Sequence, residues 1–378
     1  MSLYLDAAAT TPVRREALEA MWPYLTGDFG NPSSTHELGE RAAAGLADAR
    51  ARVAAVLGCR ASEVTFTSGG TEGANLAIKG LALGRPRGRR VITSPIEHEA
   101  VLASAEHLVR WHGFESSRVA VEHDGRVSAA ALEAALTDDT TLVSIGYANN
   151  EIGTVQDVAA LSAVARGRGA LVHTDAVQAA GWLPLDVAAL AVDALSISGH
   201  KVGAPKGIGA VFLRGRHAVV PLIDGGGQER ERRSGTENVA GAVALATALE
   251  LAERERAEAA ERVGALREGL VSRVLAEVPT AQLTGSATSR SPGHASFCFP
   301  GTSGEAVLLE LERRGVLVSS GSACAAGRDE PSHVLLALGI DAEVAGTAVR
   351  LTLPTSVTAA EAARAAAAIV DAVAAVRA

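Results

Sequence analysis

Cysteine is scarce in this chain, with three in 378 residues: Cys59, Cys298 and Cys324. The number is odd and no pair has CxxC spacing, so neither a disulfide framework nor a zinc site is expected, and no metal-ligand set stands out. That usage suits a reducing compartment. No apolar run reaches the ~20 residues that span a bilayer, and even the alanine-rich C-terminus is broken by Arg364 and Asp371. The N-terminal stretch lacks a basic n-region followed by an apolar h-region, so no signal peptide is expected. The expectation is a cytoplasmic protein without a membrane partner. Net charge is −8, from 35 basic and 43 acidic residues, and no basic stretch is long enough for a nucleic-acid footprint. Direct contact with DNA or RNA is therefore not expected. Lysine is scarcer than the basic total suggests. Only Lys79, Lys201 and Lys206 occur, and the remaining basic residues are arginines. Where charge alone matters this chain uses arginine, so a lysine points to chemistry that an always-protonated guanidinium cannot perform.

What is present is an ordinary globular composition, 48% hydrophobic and 21% charged, in a length that allows about two domains. Short apolar runs at residues 64–67, 90–93, 141–145, 170–174, 194–198 and 210–213 read as strands. They are rich in β-branched residues and lack strict alternation, as strands covered on both faces do. Amphipathic stretches lie between them. The clearest places Leu38, Ala42, Leu46, Ala49, Val53 and Val56 at helical spacing, with Ser34 or Thr35 as N-cap and Gly58 at the end. This rhythm predicts an α/β domain on a mostly parallel sheet. A long helical pattern then runs over 236–278, its charged middle reading as a solvated face and marking a boundary. The tail reads as strand 295–299, helix 304–313, strand 316–319, a further helix, strand 348–353 and a last helix opened by a Thr358/Glu361 capping box.

In an open α/β sheet, ligands bind beyond the carboxyl ends of the strands. Strand 64–67 is followed by Ser68-Gly69-Gly70-Thr71 and a helix, a turn that can cradle a phosphate or merely cap the helix. Strand 170–174 is followed by Asp175 and Gln178, and strand 194–198 by Gly199-His200-Lys201. An acid, a lysine and a phosphate cup at neighbouring strand ends are what pyridoxal 5'-phosphate requires: a Schiff-base amine, a carboxylate for the pyridinium nitrogen and an anchor for the phosphate. The plainer alternative makes Lys201 a surface lysine and Asp175 a helix cap. His98, after strand 90–93, lies at the same sheet edge, where it could stack on a cofactor ring and shuttle a proton.

Ser198-Gly199-His200-Lys201, His173-Thr174-Asp175-Ala176-Val177-Gln178 and Asn149-Asn150-Glu151-Ile152-Gly153 resemble motifs of the cysteine desulfurases, pyridoxal-phosphate (PLP) enzymes of the class V aminotransferase group. The likeness extends through Asn31-Pro32-Ser33-Ser34, Arg233-Ser234-Gly235-Thr236 and Ser319-Ser320-Gly321-Ser322-Ala323-Cys324, nearly the whole chain. It implies the aminotransferase-like fold type I: a large PLP-binding domain of residues 15–255, and a smaller α+β domain of 1–14 plus 256–378 carrying the catalytic-cysteine loop. By the same resemblance Lys201 forms the Schiff base, Asp175 holds the pyridinium, Gln178 bonds the ring hydroxyl and His98 stacks on the ring. Gly70, Thr71, Ser198 and His200 would bind the phosphate, with Thr236 reaching in from the partner subunit of a homodimer. Asn149 would contact cofactor and substrate, Asn31 and Arg350 the substrate L-cysteine, and Cys324 would accept its sulfur as a persulfide. The longer Cys324 segment, ending in Glu330-Pro331-Ser332-His333, resembles the subgroup with a mobile catalytic cysteine. A sulfur-acceptor protein would follow, serving iron–sulfur assembly, thiolation or sulfur modification of DNA. The alternatives are a related class V enzyme, such as a selenocysteine lyase or an aminotransferase, and a catalytically silent scaffold. Cys59 and Cys298 read as small buried hydrophobes.

Overall fold

The computed structural model describes residues 2–84, 87–320 and 331–377. Twelve strands are defined among them: β1 (Leu3–Tyr4), β2 (Val64–Thr67), β3 (Arg90–Thr93), β4 (Glu115–Arg118), β5 (Thr140–Ser144), β6 (Leu171–Asp175), β7 (Ala194–Ser198), β8 (Gly209–Leu213), β9 (Gln282–Leu283), β10 (His294–Cys298), β11 (Val316–Leu317) and β12 (Ala348–Thr352). Seven form the central sheet in the order β2-β8-β7-β6-β5-β3-β4. β8 runs antiparallel to both neighbours, and every other pair is parallel.

Adjacent residues on these strands feed opposite cores. Val91, Leu142 and Val211 pack under the helices Gly70–Gly84 and Glu99–His112, while Ile92, Val143 and Phe212 pack against Glu37–Leu57 and the start of the helix Val239–Glu277. Two covered faces leave no polar face to alternate with, which is why these strands read as continuous apolar runs. β4 is the exception. Its sequence Glu-Ser-Ser-Arg is mostly exposed at the sheet edge, where charge blunts further pairing, and no hydrophobic pattern announces it.

The helix Val239–Glu277 is 39 residues long and joins the two halves. Its first eleven residues are buried in the large core, whereas Val263, Leu270, Val271 and Val274 belong to a second one. That second core lies between the antiparallel sheet β12-β10-β9 and the helices Gly304–Arg313 and Ala359–Arg377. The Thr358/Glu361 capping box is present, with the Thr358 N–H donating to the Glu361 carboxylate at 2.9 Å and the Glu361 N–H to Thr358 Oγ1 at 3.2 Å. One expected cap differs. His36, not Ser34 or Thr35, precedes the helix Glu37–Leu57, its Nδ1 accepting from the Gly39 N–H at 3.3 Å. Gly39 approaches Ser34 so closely that a Cβ there would stand 2.3 Å from the Ser34 carbonyl oxygen, so the turn closes over Ser34 and delays the helix start.

The N-terminal segment crosses between the halves. β1 pairs with β11, the Ala7 N–H donates to the Thr352 carbonyl at 3.2 Å, and the Thr11 N–H to the His200 carbonyl at 2.9 Å. Residues 7–11 thereby lie along the carboxyl edge of the central sheet.

Candidate active site

β2, β3, β5, β6 and β7 all run in one direction, β2 through the antiparallel β8 between it and β7, so their ends meet at one edge and the turns that follow enclose a cavity of about 550 Å³. Gly70, Thr71, His98, Asn149, Asp175, Gln178, Ser198, His200, Lys201 and Arg350 all line it. Asn31 and Thr236 do not; both are exposed, in the turn before the helix Glu37–Leu57 and in the approach to Val239–Glu277. Cys324 lies outside the described residues. A second cavity, of about 460 Å³, shares Ala8, Val177, Gln178 and Lys201 on the other side of the N-terminal segment. It includes neither Asp175 nor the Gly69-Gly70-Thr71 turn, so the chemistry belongs to the first.

Lys201 ends the single helical turn Gly199–Lys201 after β7. Its Nζ donates to the carbonyl oxygens of Ala8 and, at 2.7 Å, Ala9. Gln178 Nε2 reaches the same Ala8 carbonyl at 3.0 Å. His200 Nδ1 faces Thr10 Oγ1 at 3.1 Å; burial, then the charges of Lys201 and Lys206, hold its pKa down to about 4, so the ring is neutral. His98 caps the helix Glu99–His112, Nδ1 accepting from the Ala100 N–H at 3.1 Å, which fixes the ring orientation.

Asp175 closes β6 with its carboxylate accepting from the Val177 N–H at 2.9 Å. Burial pushes its pKa up, while the charge of His98, the Val177 N–H and the charge of Lys201 pull it down. Asn149 uses its side chain on its own loop. Nδ2 donates to the Ile96 carbonyl at 2.7 Å, and Oδ1 accepts from the N–H groups of Glu151 and Ile152. Arg350, buried on β12, spans Asp6 Oδ1 at 2.6 Å and the Asn150 carbonyl at 2.9 Å.

The aminotransferase class-V family model matches residues 3–364. Cysteine desulfurase IscS of Dictyoglomus turgidum is 44% identical over 352 residues, covering 93% of this chain and 89% of its own. The chain belongs to the cysteine desulfurases of the class V aminotransferase family. Among solved structures, a NifS-like protein matches with a TM-score of 0.91 at 38% identity, covering 98% of this chain and 99% of its own. SspA in complex with cysteine matches at 0.82 and 35% identity, over 93% and 99% of the two chains.

The desulfurase takes pyridoxal 5'-phosphate as its cofactor, and its residues fit that group. The half-buried Asp175 carboxylate, bonded by the Val177 N–H and the Ser196 side chain, has capacity left for a cationic donor such as a protonated ring nitrogen. At the other end, the N-terminus of the helix Gly70–Gly84 offers backbone N–H groups beside Ser198. A Cβ on Gly70 would stand 2.6 Å from Val177 Cγ2, so only glycine leaves the cup its depth without moving Val177.

Three acids escaped the sequence reading of the desulfurase. Glu97 is 4% exposed and lines the cavity, Ser94 Oγ 2.5 Å from one carboxyl oxygen and the Gly146 N–H 2.8 Å from the other. Burial, with the nearby charge of Asp175 adding to it, raises its pKa to about 7. Its adjacency to His98 was the only available signal. Asp6 pairs with Arg350 from the far end of the chain, and Glu151, buried, accepts from Ser332 Oγ at 2.5 Å. Spacing alone predicts neither partner.

Proposed function

We propose that this desulfurase moves the sulfur of L-cysteine onto Cys324 and leaves L-alanine. The supporting observation is the single cavity that Lys201, Asp175 and the Gly70–Thr71 cup line together. Bound PLP supplies an electron sink that makes the substrate Cα–H acidic. Asp175 keeps the ring nitrogen protonated, and Thr71, Ser198, His200 and backbone N–H groups hold the phosphate. Gln178 would hold the ring hydroxyl and His98 would lie against the ring. Lys201 Nζ would be the amine that holds the cofactor and would accept the substrate Cα proton, with the carbonyls of Ala8 and Ala9 placed to receive its ammonium form. Arg350 would bind the substrate carboxylate with its fork, beside Asn149. The Cys324 thiolate then attacks the cysteine sulfur. An S–S bond forms, the Cβ–S bond breaks, and its electron pair stays with the carbon that becomes the alanine methyl. Cysteine plus thiol give alanine plus persulfide, so no external oxidant or reductant is required.

The same reading makes residues 15–255 the cofactor domain and 1–14 plus 256–378 the smaller domain. It also makes the enzyme a cytoplasmic homodimer. Thr236 is exposed and lines no part of its own chain's cavity, and Leu222 and Ile223 nearby expose apolar surface, as a residue reaching a partner's phosphate would require. No helix among the described residues is long and apolar enough to cross a membrane. The persulfide passes to an acceptor protein.

Mixing the PLP-loaded enzyme with L-cysteine in the absence of reductant tests this reading. Alanine should appear, and one sulfur atom should be added to the Cys324 peptide. Cys59 and Cys298 should stay unmodified, because burial pushes their thiols up to about 12 and about 11 and leaves few thiolates. Sulfur mapped to either of those, or a Cys324→Ser enzyme releasing sulfide at the wild-type rate, would overturn it.

A further inference from the structure

Residues 149–153 form a hub that side chains reach from three directions. Asn149 ties the hub to Ile96 beside the cofactor cavity. The Asn150 carbonyl receives Arg350 Nη1 at 2.9 Å and His294 Nε2 at 3.2 Å, and the Ile152 carbonyl receives Arg290 Nη1 at 2.9 Å. The Glu151 carboxylate receives Ser332 Oγ at 2.5 Å, across 181 residues of sequence.

Ser332 immediately precedes the helix His333–Ala337 that follows the Cys324 segment, and its hydroxyl also caps that helix by accepting from the Leu335 N–H at 3.2 Å. His333 Nε2 donates to the Glu97 carbonyl at 3.1 Å, one residue before His98. Val334 and Leu335 pack with Ile96 and Ile152 in one buried cluster. The upstream end is tied as well, since Ser319 and Arg350 exchange backbone hydrogen bonds of 3.2 and 2.7 Å. The chain on both sides of Cys324 is thus fastened to the hub and to the arginine assigned to the substrate carboxylate. Glu151 does not line the cavity itself.

We propose that Glu151 is a positioning residue for sulfur transfer: through Ser332 it fixes the downstream end of the Cys324 segment to the loop that holds Arg350. A tethered nucleophile reacts at an effective concentration set by where its tether ends, and a misplacement of about 1 Å can lower a rate a hundredfold. Glu151 therefore acts on the transfer step, not on cofactor retention or cysteine binding. This inference rests on Cys324 being the sulfur acceptor.

The test uses the full-length, PLP-loaded enzyme and follows three quantities: cofactor content, the absorbance change on adding L-cysteine, and the rate at which the Cys324 peptide gains sulfur. Glu151→Ala and Ser332→Ala should each slow sulfur gain by about tenfold to a hundredfold, with cofactor content and cysteine affinity within about twofold of wild type. The double variant should be no slower than the slower single one, because both remove the same bond. Glu151→Gln and Ser332→Thr, which keep an acceptor and a hydroxyl, should restore most of the rate. Wild-type sulfur gain in both alanine variants overturns the proposal. So does loss of cofactor or cysteine binding in step with transfer, including in the two conservative variants. A wild-type enzyme that gains no sulfur at Cys324 would instead overturn the acceptor reading beneath it.

Discussion

Lys201 is one of three lysines in a chain that otherwise uses arginine for positive charge, and it stands where the carbonyls of Ala8 and Ala9 converge. A guanidinium there would keep the charge and lose the amine. Replacing Lys201 by Ala or by Arg should therefore abolish the absorbance of lysine-bound cofactor and lower alanine production by at least about a thousandfold in both. Activity in Lys201→Arg within tenfold of wild type would reduce the residue to a charge and remove it from the reaction. The neighbouring His200 illustrates the same economy of charge. Held neutral by burial and by Lys201 and Lys206, it can accept a bond from Thr10 without adding a third cation to the turn.

At the level of elements, the strands that carry the site were legible because their surroundings leave one option. β2, β5, β7 and β8 are buried throughout, so their sequences carry no charge and hold only Thr and Ser hydroxyls among apolar residues and glycine. β4 was illegible for the opposite reason: a polar edge strand leaves no period to read. The site divides in the same way. Lys201, Asp175 and the Gly69-Gly70 turn announce themselves by residue type at a strand end. Glu151 and Ser332 acquire a role only when segments 181 residues apart meet, and no local pattern encodes that. Strand-to-turn packing also yields a test. A Cβ on Gly209 at the start of β8 would stand 2.7 Å from Gly69 Cα and from the Ile197 carbonyl oxygen, backbone atoms of the phosphate turn and of β7. Gly209→Ala should destabilise the protein by about 1–3 kcal/mol and loosen PLP about tenfold, measured by thermal melting and cofactor titration. Gly264→Ala is the control. A Cβ there meets nothing within 4 Å, in the middle of the helix Val239–Glu277, so that change should stabilise by about 0.5–1 kcal/mol. Wild-type PLP affinity in Gly209→Ala would mean the turn is not shaped by β8.

Across the whole molecule, the polar groups shut into the large domain make stability depend on pH with two opposing signs. His173 is wholly buried between Ser144 Oγ at 2.8 Å and Ser196 Oγ at 3.2 Å, and burial lowers its pKa to about 3. The unfolded chain takes up that proton near pH 6.5 and the folded one does not. Its contribution is therefore complete above about pH 6.5 and is lost as pH falls towards 3. Glu97 has the reverse sign. With a folded value of about 7 against 4.5, the folded state holds its proton longer. That contribution is complete below about pH 4.5 and is lost as pH rises through 7. Between pH 4.5 and 6.5 the two slopes oppose each other, which flattens the stability curve there. Glu97→Gln removes only the second slope. The amide can still place its oxygen on the Gly146 N–H and its nitrogen on Ser94 Oγ, so the fold should survive. Relative to wild type, the variant should gain up to about 3 kcal/mol in unfolding free energy between pH 4.5 and 8. Denaturant titrations of both proteins at pH 5 and pH 8, at fixed PLP, measure the difference. An identical gap between variant and wild type at the two pH values would mean that Glu97 is already ionised in the folded enzyme at pH 5. In that case two carboxylates, Glu97 and Asp175, would carry charge into the same cavity.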